Sequence, residues 1–348
     1  MTTNVVVATY HGVVLGCDSL SSIVERAFFP FRTSDALARD ASGNLMFDAQ
    51  GRLLLAYDES KLQPTPTNIM GGVQKMFILH EDPDSNNVEC SVAATTSGLG
   101  TLNSIVIAEI AERFRRRCRT NPEGYASITD IVIGFLEFVR PQWESEVGYN
   151  DVDPAARQTL DDLQFLIAGY GREDEYIKVM RVSVSANSIT ELFDAPPHCS
   201  AAWAGQADSI ASLINGTNPT TRWAVNREFM SSLQAQRESV VDSVLTQLRD
   251  QGVVIPEPFE ATIQEVVPAE LPWLDGSPFF DWANLPVQSA VDLVSTLVNA
   301  ESAVQKFAMG IPTVGGRTRI GLMRRGMPFA FLNEPEIIHQ HVGYNHDA

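Results

Sequence analysis

Thr2 is the residue of this chain best suited to do chemistry. Once Met1 is trimmed, it carries a side-chain hydroxyl and a free α-amine in one residue, a nucleophile joined to its own base. The polar Asn4 is followed by the apolar run Val5 to Ala8, a turn at Tyr10-His11-Gly12, and a second apolar run, Val13 to Cys17, that ends on Asp18-Ser19. The two runs read as the strands of a hairpin closed by a turn containing Gly12. Pairing about that turn sets Thr2 near Leu20 and diagonally near Asp18, on one sheet face and roughly 5 to 8 Å apart, so that the carboxylate approaches the chain start.

The elements that must position these residues follow from periodicity. Between Ser21 and Thr67 regular period is lost, with a single strand signal at 52–57 inside a long surface excursion. Strand patterns resume at 73–79 and 92–96. Ser97-Gly98-Leu99-Gly100 then leads into a helix whose apolar positions are Ile107, Ile110, Ala111, Phe114 and Cys118. Ser127 with Asp130 marks the start of a second helix, with Ile128, Ile131, Phe135 and Phe138 along one side.

Further strands are expected at 165–168, 177–184, 188–193 and 201–204. A helix near Asp208 follows, then a long one over 227–250, an acidic, proline-punctuated loop over 256–286, and a helix over 288–307. Closing strands are expected at 317–323 and 329–332. This order predicts an α+β fold, a four-layer αββα sandwich of two facing antiparallel sheets. The whole of 1–348 reads as one domain with insertions at 21–67 and 209–286.

Composition narrows the function classes. With 25 basic against 43 acidic residues the formal charge is -18, which repels phosphate backbones and anionic membrane surfaces, so neither nucleic acid nor a membrane is expected as a partner. Cys17, Cys90, Cys118 and Cys199 lack the close spacing of a zinc site or redox pair and read as free thiols in a cytoplasmic protein. His339, His341 and His346 read as part of a tail rather than a metal site.

Thr2-Thr3 followed by His11 to Ser19 resembles the start of mature β-type proteasome subunits and related N-terminal-nucleophile hydrolases. Val73 to Ile78 is similar to that family's strand bearing the catalytic lysine, which matches Lys75. Ala94 to Gly98 resembles the turn whose glycine amide forms the oxyanion hole, and Ala201 to Gly205 and Val314 to Arg317 resemble two later segments. The resemblance implies that Thr2 is nucleophile and base, that Lys75 tunes the amine, that Asp18 anchors Lys75, and that Gly98 offers an oxyanion amide. It further implies a peptide or other amide substrate, no metal or organic cofactor, and self-association into a homo-oligomer. Two departures stand out: Ala204 occupies a place where the family carries serine, and no aspartate precedes Gly315-Gly316.

Taken alone, Asp18 also reads as a strand-end turn residue, Lys75 as a strand-end charge, and Ser97 to Gly100 as a capped turn. The reading that joins them is a threonine hydrolase of amide bonds. Its alternatives are a non-catalytic scaffold or binding protein of the same fold, and an amidase or acyl transferase.

Overall fold

The computed structural model describes residues 2–27, 37–40, 42–54, 63–82, 88–254, 280–307 and 312–333. The chain divides into two compact units, Met1–Ala207 with Asp281–Ala348, and Asp208–Phe280. In the larger unit, β1 (Thr3–Thr9), β2 (Gly12–Cys17), β12 (Ala201–Gly205), β13 (Arg319–Met323) and β14 (Ala330–Phe331) form an antiparallel sheet in the order β12-β1-β2-β13-β14. A second antiparallel sheet runs β11-β10-β9-β6-β5, from β5 (Met76–Glu81), β6 (Ser91–Gly98), β9 (Leu163–Tyr170), β10 (Lys178–Ser183) and β11 (Ser188–Leu192).

The two sheets share one apolar core. Val6, Leu15 and Cys17 from the first sheet cluster with Met76, Ala93 and Leu166 from the second, all fully buried. On its other face the second sheet is covered by α1 (Ile107–Thr120) and α2 (Ile128–Glu146), where Phe135 lies 4.9 Å from Phe165 and 5.2 Å from Phe114 between ring centres. The first sheet is covered by α5 (Val287–Phe307). The expected α+β layering around two antiparallel sheets is therefore present.

Both α1 and α2 bury the faces that their spacing indicates. Ile107, Ile110, Ala111, Phe114 and Cys118 are all buried, and α2 begins on a capping box in which Ser127 and Asp130 exchange hydrogen bonds of 3.1 and 3.2 Å. Trp143, fully buried, donates its indole N–H to the Asp161 carbonyl at 2.9 Å, which fastens α2 to the entry of β9.

Three expectations need correction. The excursion after Ser21 contains an antiparallel ribbon, β3 (Ser21–Ala27) with β4 (Gln63–Met70), where no regular period was visible; the strand signal at 52–57 falls partly outside the described residues. Gly98 does not open a helix. A short hairpin, β7 (Thr101–Leu102) with β8 (Ile105–Val106), intervenes, turned by Asn103 and Ser104 at φ 49° and 62°, a backbone hand that suits two-residue hairpin turns. The long helix α4 (Pro219–Asp250) of the smaller unit starts eight residues before the expected Arg227 and is capped by Asn218, whose side chain accepts from the Thr221 N–H at 2.7 Å. α3 (Asp208–Asn215) starts where expected. Among the described residues, no helix is long and apolar enough to cross a membrane.

Gly16 sets the distance between β2 and α5: a Cβ built there would lie 2.2 Å from Cγ1 of Val294, itself fully buried. Gly16→Ala is expected to cost about 1–3 kcal/mol by overpacking, and Val294→Ala in the same chain should recover part of that loss. Urea unfolding of the single and double variants reads the coupling; strictly additive losses would refute this account of the contact.

Candidate active site

The hairpin that begins the chain is tighter than its sequence suggests. Thr9 pairs with Gly12 and Asn4 with Cys17, so the turn is Tyr10-His11 alone and Gly12 belongs to the strand. The register is one residue away from expectation. Thr3, rather than Thr2, becomes the neighbour of Asp18: the Thr3 N–H donates to Asp18 Oδ1 at 3.0 Å, and the Asp18 N–H donates back to the Thr3 carbonyl at 3.2 Å.

Asp18 is 1% exposed and collects donors on both carboxylate oxygens. Oδ1 also accepts from Lys75 Nζ at 2.8 Å, while Oδ2 accepts from the N–H groups of Leu20 at 3.2 Å and Gly315 at 3.1 Å. Lys75, 3% exposed, donates a second N–H to the Leu20 carbonyl. Two of its three ammonium protons are thereby placed. The expected pairing of Asp18 with Lys75 is present as a buried ion pair.

Thr2, Lys75 and Gly98 line one cavity, together with Ser21, Gln74 and Ser97. Its volume is about 20 Å³, room for one water-sized group. Thr2 is 5% exposed and is held by the Gln206 N–H, which donates to its carbonyl at 2.7 Å. Gly205, at φ 78°, permits that approach: a Cβ built on it would sit 2.0 Å from the Thr2 carbonyl oxygen.

Gly98 closes β6 at φ 97°, where a Cβ would lie 2.0 Å from the Asp162 carbonyl oxygen. It stands in the cavity wall, but nine residues ahead of α1, so no helix dipole acts at its amide. All four expected site residues are thus in one neighbourhood.

Sequence reasoning missed the Gln206 N–H, which holds Thr2, the Gly315 N–H, which holds Asp18, and Thr313, whose hydroxyl donates to the Gln206 side chain. Gly315-Gly316 was legible only within the segment Val314 to Arg317 that resembles a later part of the family pattern. Of the two departures, Ala204 lies in β12 opposite Asn4, and 308–311 falls outside the described residues, as do the three tail histidines and Met1.

Cys17, one residue from Asp18, offers no competing nucleophile. Burial first, and the neighbouring Asp18 carboxylate second, push its thiol up to about 12.

Removing one partner of a buried ion pair costs about 3–5 kcal/mol, and the two partners here are unequally supported. Lys75→Met leaves Asp18 three backbone donors, whereas Asp18→Asn leaves a buried ammonium without a counter-charge. Asp18→Asn is expected to lower the urea midpoint more than Lys75→Met does; equal or reversed losses would contradict this ranking.

Neither a protein-family model nor a curated protein matches the sequence. Solved structures similar to it include Anbu (ancestral beta-subunit) from Yersinia bercovieri, at 10% identity and a TM-score of 0.40, covering 96% of this chain and 88% of that one. An Anbu (Gly-1) mutant from Hyphomicrobium sp. strain MC1 is 9% identical at a TM-score of 0.46, covering 96% of this chain and 85% of that one. Anbu from the same strain is 8% identical at 0.38, with 96% and 88% covered. The expected membership of a proteasome β-subunit-like family is corrected by these findings: the similar structures are Anbu proteins, and at such identities and TM-scores no residue role passes from them to this chain.

Proposed function

We propose that the chain, once Met1 is removed, cleaves peptide or other amide bonds through an acyl-enzyme on Thr2. The observation that carries this reading is the shared cavity of Thr2, Lys75 and Gly98, with Lys75 paired to a carboxylate that three backbone N–H groups hold in place.

A free α-amine titrates at about 7.7 to 8.0, so part of it is neutral near pH 7 and can take the hydroxyl proton. The Lys75 ammonium beside it favours that neutral form by like-charge repulsion. Thr2 Oγ1 then bonds to the substrate carbonyl carbon, and the negative charge on the carbonyl oxygen is met by the Gly98 N–H. The C–N bond breaks as the leaving nitrogen takes the proton from the Thr2 ammonium. Water adds to the resulting ester, its proton returning through the same amine, and a carboxylic acid departs with Thr2 regenerated. With an amine in place of water the same ester yields a new amide, the acyl-transfer variant of this chemistry.

Intact-mass analysis after exposure to a peptide β-lactone tests the reading. The expected result is loss of Met1 and one adduct, mapped to Thr2 and absent from Thr2→Ala. Protein that retains Met1 and takes up no lactone would refute catalysis and favour the scaffold alternative.

A further inference from the structure

Two polar side chains in the layer between the sheets have nothing to bond. Val6 and Ala8 of β1 face the second sheet, and by the period of two so does Asn4; Ala93 of β6 faces the first sheet, and so does Thr95. Both residues are 0% exposed, and among the described residues neither Nδ2 nor Oδ1 of Asn4, nor Oγ1 of Thr95, has a hydrogen-bond partner. Leaving such atoms unpaired is costly, and folded proteins seldom do so.

The registers set the two side chains across from each other. Asn4 stands in a cross-strand row between Ala204 and Cys17, and Thr95 in a row that runs Met76, Thr95, Leu166, Arg181. Three contacts anchor one sheet on the other around these rows. Arg181 donates to the carbonyl of Trp203, the residue before Ala204, at 3.1 Å. Cβ of Ser97, two residues along β6 from Thr95, lies 3.3 Å from a Cβ built on Gly205, the residue after Ala204. On the β13 side, a Cβ built on Gly321 would lie 2.8 Å from Met76 Sδ. Between these anchors β6 crosses β1 and β2, which brings Thr95 over Asn4 one step behind Thr2 and Ser97 in the cavity wall. Ala204 and Cys17 beside Asn4, and Ala93 beside Thr95, are small side chains that leave room between the sheets.

We propose that Asn4 and Thr95 hold an internal water between the sheets, directly behind Thr2. The three orphaned atoms select water over an ion. A cation would satisfy Oδ1 and be repelled by Nδ2, and an anion would do the reverse, whereas water accepts from one and donates to the other, with the threonine hydroxyl able to take either part. Buried waters make about three hydrogen bonds to polar groups that the chain itself leaves unpaired, and a neutral ligand suits the apolar surroundings. The site stands on burial and pairing alone, so it holds or fails independently of the Thr2 reading.

High-resolution crystallography of the full chain tests the proposal directly. The expected result is one ordered water within hydrogen-bond distance of the Asn4 amide and of Thr95 Oγ1, present also in Thr95→Ser. An Asn4 amide bonded straight to Thr95 with nothing between them would overturn it. Urea unfolding adds a second readout. Asn4→Leu and Thr95→Val each strand a buried partner and should lower the midpoint by about 0.5 M, whereas the double variant strands none and should return to within about 0.2 M of the parent. Strictly additive losses in the double variant would overturn the shared site. Should Asn4→Leu fail to fold, the parent crystal decides, together with Thr95→Ser keeping the parent midpoint where Thr95→Val loses it; equal midpoints in those two variants would count against the water.

Discussion

The buried carboxylate of Asp18 is the constraint on which the rest of the site depends. A charge taken out of water costs several kcal/mol unless its lone pairs are met by good donors. Here two donors reach each oxygen: Thr3 N–H and Lys75 on one, Leu20 N–H and Gly315 N–H on the other. Those donors come from the chain start, the turn after β2, the segment ahead of β5 and the loop ahead of β13. Satisfying one side chain thus fixes four stretches of backbone relative to one another. Ser19 tightens the same knot, accepting from the N–H of Val73 on its carbonyl and from the N–H of Arg317 on its hydroxyl.

Close backbone approach is the second requirement, and glycine meets it where a side chain would collide. Gly205 lets the end of β12 come against the Thr2 carbonyl, and Gly98 lets β6 end against the start of β9. Both have positive φ, which other residues adopt only with strain. Gly98 thereby adds main chain to a cavity wall that Thr2, Ser21, Gln74, Lys75 and Ser97 also line. Behind it, the shared core of Val6, Leu15, Met76 and Leu166 keeps the two sheets at a fixed spacing.

Much of this is legible in the residues. The faces of α1 and α2 follow from apolar spacing, and the Ser127–Asp130 box marks a helix start because its two bonds are local. The first hairpin is legible in kind but not in register, since the choice between a turn at Tyr10-His11 and one centred on His11 depends on strand packing. The hairpin at Asn103-Ser104 escapes notice for a similar reason: no glycine marks its turn, although both residues take positive φ. Gln206 and Thr313 were invisible altogether. A contact between residues more than a hundred positions apart leaves no local pattern, and neither residue has an unusual sequence context.

The sulfur of Cys17 has a consequence of its own. It stands against the carboxylate knot and faces the shared core, fully buried and held in the protonated form far above neutral pH. A peroxide or metal ion diffusing past finds no thiolate at this end of the sandwich to oxidise or ligate. Sulfur is thus part of the fabric around Asp18 without adding a reactive thiolate to it.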